Sequence, residues 1–257
     1  MLEYQNLVRF VLGQGQDVKR RNSVCRTIAG ASIKYYVGPT RFPIVTARRI
    51  YYKGVFGELA AMVRGPKCVD DFKKWGCNYW DQFADENDNL NVDYGNAWLE
   101  PVNQIKKVRH KLLYSSQDRR LIINGWVPEH IEDLTLPCCH FAYQYVAIDS
   151  VLHLIWYQRS ADVMVGVPSD MVLANAMLIA MAYDTNYEPG TVTMHFGDTH
   201  IYDAHIKGAY ALLDNGTMPY PNYMVKSDIS LLDFTPDMIT LQNYEPREFG
   251  IKFDCFK

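Results

Sequence analysis

Three short runs rich in Ile, Val, Tyr and Trp follow one another in this chain: Leu121 to Trp126, Phe141 to Ile148 and Leu152 to Gln158. Runs of this length and composition read as strands. No helix-periodic segment separates them, and strands in direct succession argue against a doubly wound sheet, where each strand alternates with a helix. Helical signals lie to either side. Glu3 to Leu12 has apolar residues near helical spacing, Ile50 to Val63 carries Glu58 inside a largely apolar run, and Lys106 to Ser115 reads as another helix. Further on, Pro168 opens a helix in which Met171, Ala174, Leu178 and Met181 recur at spacings of three and four. Thr191 to Phe196 reads as a strand, Tyr202 to Leu213 as a helix, and Tyr223 to Val225 and Met238 to Leu241 as strand-like pieces. The fold class expected is α+β.

No repeat, low-complexity tract, Pro/Ser-rich linker or charge run divides the 257 residues, so one domain over 1–257 is the simplest organisation. An apolar fraction of 48% is enough for a sizeable core. The formal net charge of -3 argues against a protein that coats nucleic acid through bulk positive charge. The N-terminal segment has no signal-peptide pattern, and no apolar stretch approaches the roughly 20 residues of a membrane span. With six scattered cysteines and no secretory signal, reduced thiols in a cytoplasmic protein are expected.

Three patches hold chemistry-bearing residues. In LPCCH, Leu136 to His140, two adjacent cysteines precede a strand. Their adjacency fits neither Cys-x-x-Cys metal spacing nor, by itself, anything beyond two small buried residues. A nucleophilic cysteine needs cations to lower its pKa, and Arg21, the Arg119–Arg120 pair and Arg159 are candidates. In YQRSADV, Tyr157 to Val163, polar residues abruptly follow an apolar strand, which turn chemistry at Ser160 and Asp162 would also explain. In GDTHIYDAH, Gly197 to His205, His200 and Tyr202 sit two residues apart and share one side of an extended segment. Around Lys19, Arg20, Arg21 and Asn22 the chain reads as an exposed basic loop.

Taken in order, these segments resemble thymidylate synthase over nearly the whole chain. The matching stretches are RFPIVTARR (41–49), GEL with Glu58, NYWDQFADENDNLNVDYG (78–95), QDRR (117–120), LPCCH, YQRSADVMVGVP (157–168), GDTHIY (197–202) and the tail NYEPREFGIK. The resemblance implies an α+β fold that pairs through a large sheet into a two-fold homodimer. It implies 5,10-methylenetetrahydrofolate as cofactor and a pyrimidine deoxynucleoside monophosphate as substrate, with no membrane, metal or nucleic acid required.

It also implies roles. Cys139 matches the nucleophile that adds to C6 of the pyrimidine, and Glu58 and Tyr94 match polar groups of the catalytic water network. Arg21, Arg159 and Ser160 match the phosphate grip, with Arg119 and Arg120 donated across the dimer. Guanidinium forks suit phosphate oxygens. Gln158, Ala161, Asp162 and Asp170 fall in the nucleotide site, and His200 and Tyr202 match the pair on the sugar 3′-hydroxyl. Tyr51, Tyr79, Trp80, Leu136, Asp162, Gly166 and Phe256 fall on the folate side. Addition of the thiolate makes C5 carbanion-like, so that it attacks the folate methylene, and covalent catalysis divides one hard substitution into easier steps.

Departures from the family pattern are informative. Where thymidylate synthases have PFN, with the Asn reading uracil, this chain has Pro168, Ser169 and Asp170. A carboxylate accepts from the N4 amino group of cytosine, but faces O4 of uracil acceptor to acceptor. Phage deoxycytidylate hydroxymethylases, relatives of the family, carry Asp there. Asp is also favoured at a helix start, which is the competing explanation. RNS replaces RTG at Arg21 to Ser23, Phe83 replaces a Trp, Tyr51 a His, Arg48 a Lys and Cys138 a Pro.

The expected activity is therefore dCMP hydroxymethylation, with water completing the reaction. Reductive methylation of dCMP or dUMP is the alternative, since Trp80 and the full tail favour a closed, dry site. A silent nucleotide- or RNA-binding regulator is the reading from a different class.

Overall fold

The computed structural model describes residues 2–20, 23–115 and 117–256. The first half is mainly helical: α1 (Leu2–Gln14), β1 (Gln16–Lys19), β2 (Val24–Tyr36), α2 (Tyr52–Met62), α3 (Val69–Lys73), α4 (Asn96–Leu99) and α5 (Gln104–Tyr114). The second half holds β3 (Ile122–Asn124), β4 (His140–Ile148), β5 (Val151–Asp162), α6 (Gly166–Asp184), β6 (Glu188–Tyr202), α7 (Ile206–Asp214), β7 (Asn222–Val225) and β8 (Ile239–Gln242). The fold is α+β, of the thymidylate synthase type, as expected.

Among the described residues the strands form a six-stranded sheet in the order β1-β2-β6-β5-β4-β3, and a separate pair, β7-β8. Every neighbouring pair in the large sheet is antiparallel except β5 and β6, which run parallel. A parallel pair needs a long crossover, and α6 supplies it. The register sets Ser160 beside Asp198 and Asp162 beside His200. One face of the sheet's polar end is thus lined by residues two apart on both strands.

α6 is apolar on all sides, with an unbroken buried run from Met171 to Ala182. A helix with this pattern belongs in a core, and α6 packs between the sheet and α2. Contrary to the sequence expectation, its length and composition would suffice for a membrane span, yet 78% of that window is buried inside the protein. It starts at Gly166, two residues before Pro168, because Pro is tolerated in a first turn.

Other boundaries also moved. β5 runs on through Ser160 to Asp162, so no turn forms at YQRSAD. Tyr202 ends β6 and a 3-10 turn, Asp203–His205, precedes α7. Lys19 belongs to β1 and Arg20 pairs with Asp198, rather than both lying in a free loop.

Tyr94 reaches the site because the chain turns sharply behind it. Gly95 has φ of 82°, and a Cβ there would stand 1.9 Å from the Met62 carbonyl oxygen. Gly95→Ala combines left-handed strain with a backbone clash, so it is expected to cost about 3 kcal/mol. Denaturant midpoints of the purified variant would check this.

Candidate functional site

Cys139 sits immediately before β4, between a tyrosine and an arginine. Its backbone N–H donates to the Tyr94 hydroxyl oxygen. Arg159 donates from Nε to the Cys138 carbonyl at 2.8 Å and from Nη2 to Pro137 at 2.9 Å, with Trp126 beneath its guanidinium at 5.7 Å. Burial pushes the Cys139 thiol up, while Arg159 and Tyr94 pull it down. Asp170 and Asp162 are near enough to raise it further. Cys138 points into the core and is 2% exposed, and burial pushes its thiol up still more strongly. The adjacent thiols therefore divide: one packs, the other faces the cavity.

Glu58, in α2, is fully enclosed. Its two carboxyl oxygens accept from the Tyr79 hydroxyl and the Trp80 indole N–H, each at 2.8 Å. Trp80 is held in turn by a stack on Phe72 at 4.5 Å and by edges of Phe83 and Tyr94, both at 5.6 Å. Burial raises the Glu58 carboxyl to about 7, against the lowering effect of both donors. Tyr79 and Trp80 thus orient an acid poised near neutrality, in addition to forming an aromatic wall.

This poise has a stability signature. Between pH 4.5 and about 7 native Glu58 keeps a proton that the unfolded chain has lost. Unfolding then releases a proton, so stability falls as pH rises through that window. Glu58→Gln is expected to remove this loss, gaining about 3 kcal/mol at pH 8 and little at pH 4. Urea unfolding at the two pH values reads it directly.

Asp170 lies one turn into α6 and is buried. It does not cap the helix: Asp162 does, accepting from the backbone N–H groups of Met164 and Val165 at 2.9 and 3.1 Å. The helix-start explanation of Asp170 therefore fails. Asp170 Oδ2 accepts from Gln158 Nε2 at 2.8 Å. Burial raises its carboxyl to about 8, with Glu58 and Asp162 adding to the rise and Gln158 opposing it. His140 Nε2 lies 3.8 Å from Asp170 Oδ1. Burial lowers His140 to about 3, so the two meet as neutral groups at pH 7 and not as an ion pair. Gly166 leaves the space beside both carboxyls open, since a Cβ there would lie 3.6 Å from Asp170 Oδ2 and 3.9 Å from the Asp162 Cβ.

Toward the end of β6, Asp198 gathers several groups. It pairs with Arg20 and, at 2.9 Å, with His200 Nδ1. The His200 ring stands perpendicular to Tyr202 at 5.2 Å, as period-two spacing requires. Tyr202 stacks on Phe256 at 4.3 Å, and Phe253 and Phe256 also pack on His205. The tail's last described residue thus covers the His200–Tyr202 end of the cavity. Burial and the nearby Asp162 raise the Tyr202 hydroxyl to about 12, and Cys139 adds to that rise, which puts these groups around one space.

Arg119 and Arg120 are exposed, and Arg120 is held by a two-pronged contact to Asp118 at 2.9 and 3.0 Å. Arg21 lies outside the described residues. Ser160 is half-buried and Ala161 buried on β5, Leu136 packs against the core, and Tyr51 is exposed with its hydroxyl on the Gly76 carbonyl. Near the tail, a cleft of about 730 Å³ is lined by Arg48, Arg49, Arg247, Lys252, Phe249 and Phe253 among others. Its cations and rings fit the carboxylates and aromatic body of a folate, and Arg48 Nε is buried there without a partner.

Sequence reasoning did not single out Asp198, His140 or Trp156. Asp198 was visible as the residue two before His200 on the same strand face. The other two look like core residues until their ring nitrogens are traced.

A cavity that gathers a thiol, an acid near neutrality and a buried carboxyl, on this α+β scaffold, defines a group-transfer enzyme working by covalent addition. The chain belongs to the thymidylate synthase family, whose model, described as thymidylate synthase, matches residues 2–255. Its activity class follows: folate-dependent transfer of a one-carbon unit to C5 of a pyrimidine nucleotide. The family uses methylenetetrahydrofolate and is typically dimeric.

Proposed function

We propose that the chain is a dCMP hydroxymethylase. The observation that carries this is Asp170, enclosed beside Cys139 and held by Gln158. Cytosine is matched in either protonation state. An ionised carboxyl accepts from N4–H and from a protonated N3; a neutral one accepts from N4–H and donates to N3. Uracil is matched only if a neutral carboxyl turns its one proton to O4. A site that leaves a buried polar atom unpaired rejects a substrate strongly.

In this reading Cys139 adds to C6 of the base, Arg159 and Tyr94 favour its thiolate, and Glu58 moves protons through water. Arg21, Arg159, Ser160 and the partner protomer's copies of Arg119 and Arg120 hold the phosphate, while His200 and Tyr202 hold the sugar. Gln158, Ala161 and Asp162 line the nucleotide, and Tyr51, Tyr79, Trp80, Leu136, Asp162, Gly166 and Phe256 face the folate. The bound folate supplies the one-carbon unit, and water at that carbon gives the hydroxymethyl group. The enzyme works in the cytoplasm as a homodimer of one catalytic domain per chain. Reductive methylation is the second reading, favoured by the dry wall of Trp80, Phe72 and Phe83.

The deciding experiment incubates the protein with dCMP, dUMP or CMP and methylenetetrahydrofolate. Product masses are read beside folate absorbance. Hydroxymethylated dCMP with tetrahydrofolate is expected. Preference for dUMP sinks the base assignment, and methylated product with dihydrofolate sinks the hydroxymethyl assignment.

A further inference from the structure

Trp156 lies two residues before Gln158 on the same face of β5 and is completely enclosed, its ring 4.5 Å from His140 and 4.8 Å from Tyr143. Its indole N–H donates to Gln158 Oε1 at 3.1 Å. An indole nitrogen is a donor only, whereas an amide has one accepting and one donating end. The Gln158 oxygen must therefore face Trp156. The two hydrogens on Nε2 are then both used, on the Ser160 carbonyl at 2.9 Å and on Asp170 Oδ2 at 2.8 Å. Every hydrogen-bonding direction of this buried amide along the chain is filled. A reversed amide would set its N–H₂ against the indole N–H and its oxygen against the Ser160 carbonyl.

The consequence falls on Asp170. Facing a donor, Asp170 cannot give a proton to Gln158. Any proton it carries is turned toward the cavity, and its ionised form keeps a stabilising partner. We propose that Trp156 is a positioning residue for base selection: its indole N–H fixes the Gln158 amide so that Asp170 presents its proton or its charge to the base. This rests on the reading of Asp170 as the group that recognises cytosine.

Without the indole N–H, the Gln158 amide is free to turn and accept from the Asp170 hydroxyl. Asp170 then offers the base acceptors only. Neutral cytosine loses the donor for N3, protonated cytosine loses the charge, and uracil keeps an acceptor for N3–H. Discrimination narrows whichever carboxyl oxygen faces which base atom. The groups facing Asp170 are Gln158 from β5, His140 from β4, and Glu58 and Asp162 through space. Only Gln158 changes its role in the variant.

The test compares dCMP and dUMP affinities, and their kcat/KM ratio, for the full-length wild type and Trp156→Phe across pH 6 to 9. Phe keeps the ring packing and removes the N–H. The dCMP/dUMP ratio is expected to fall about tenfold, with the pH dependence of dCMP binding moved upward because a donor to the carboxylate is lost. In a Gln158→Met background, Trp156→Phe is expected to leave the ratio unchanged, a coupling that simple loss of packing would not produce. Should Trp156→Phe fail to fold, Gln158→Met alone must narrow the ratio by a similar factor.

An unchanged ratio in Trp156→Phe, or in Gln158→Met, overturns the proposal. A wild type that prefers dUMP while Trp156→Phe still shifts the ratio overturns the cytosine reading and leaves the relay standing. A wild type that prefers dCMP with no shift in the variant does the reverse.

Discussion

Asp170→Asn is expected to turn the base preference over, from dCMP to dUMP. The substitution keeps size and shape and replaces one accepting oxygen by a donating nitrogen. That nitrogen satisfies O4 of uracil and collides with the N4 amino group of cytosine, donor against donor. Both mismatches occur in an enclosed site where water cannot relieve them, so the swing in relative kcat/KM is expected to reach about 10³-fold. The amide also cannot ionise. The pH dependence that a carboxyl raised to about 8 gives to dCMP binding should vanish with it. Competition assays with both nucleotides in one mixture measure the ratio without reference to enzyme concentration. Retention of dCMP preference in the variant would remove Asp170 from base recognition.

Cys139→Ala should abolish turnover, by about 10⁴-fold or more, since no other group at that place can bond to C6. Nucleotide affinity should change little, because the phosphate and sugar contacts come from other residues. Cys138 is not a substitute. It is buried, its thiol is pushed well up, and its carbonyl rather than its sulfur is engaged with Arg159. Cys138→Ala is accordingly expected to keep most of the activity. Nucleotide binding without turnover in Cys139→Ala separates an enzyme from a binding module, which would be indifferent to the substitution. Equal activity in the variant and wild type would move the chemistry elsewhere.

The helical core was legible in the sequence because α6 carries its periodicity openly at Met171, Ala174, Leu178 and Met181. β2 was not, although it is one of the two longest strands. Its middle reads Ala29, Gly30, Ala31 and Ser32, with weak strand preference. What holds it extended is antiparallel pairing with β6 from Cys25 to Tyr36, a contact distant in sequence. In the site, Cys139, Glu58, Tyr94 and Arg159 could be placed through the resemblance. Their partners could not be, since the Tyr79 and Trp80 donations to Glu58 and the Trp156 donation to Gln158 depend on side-chain directions. Asp170 shows the same limit: its residue type suits a helix start equally well, and only burial and the capping by Asp162 decide.

The single parallel pair in the sheet has a bearing on how such enzymes diversify. Because β5 and β6 run the same way, the chain must travel the length of the molecule between them, and Asp170 rides on the opening turn of that traverse. It is embedded in the least replaceable helix of the protein, where insertions and deletions would shift an entire buried face. Variation there is confined to exchanging one side chain for another of the same size. Laboratory evolution toward a new base should accordingly advance by point changes at positions 156, 158 and 170, and grafted loops should contribute nothing to it.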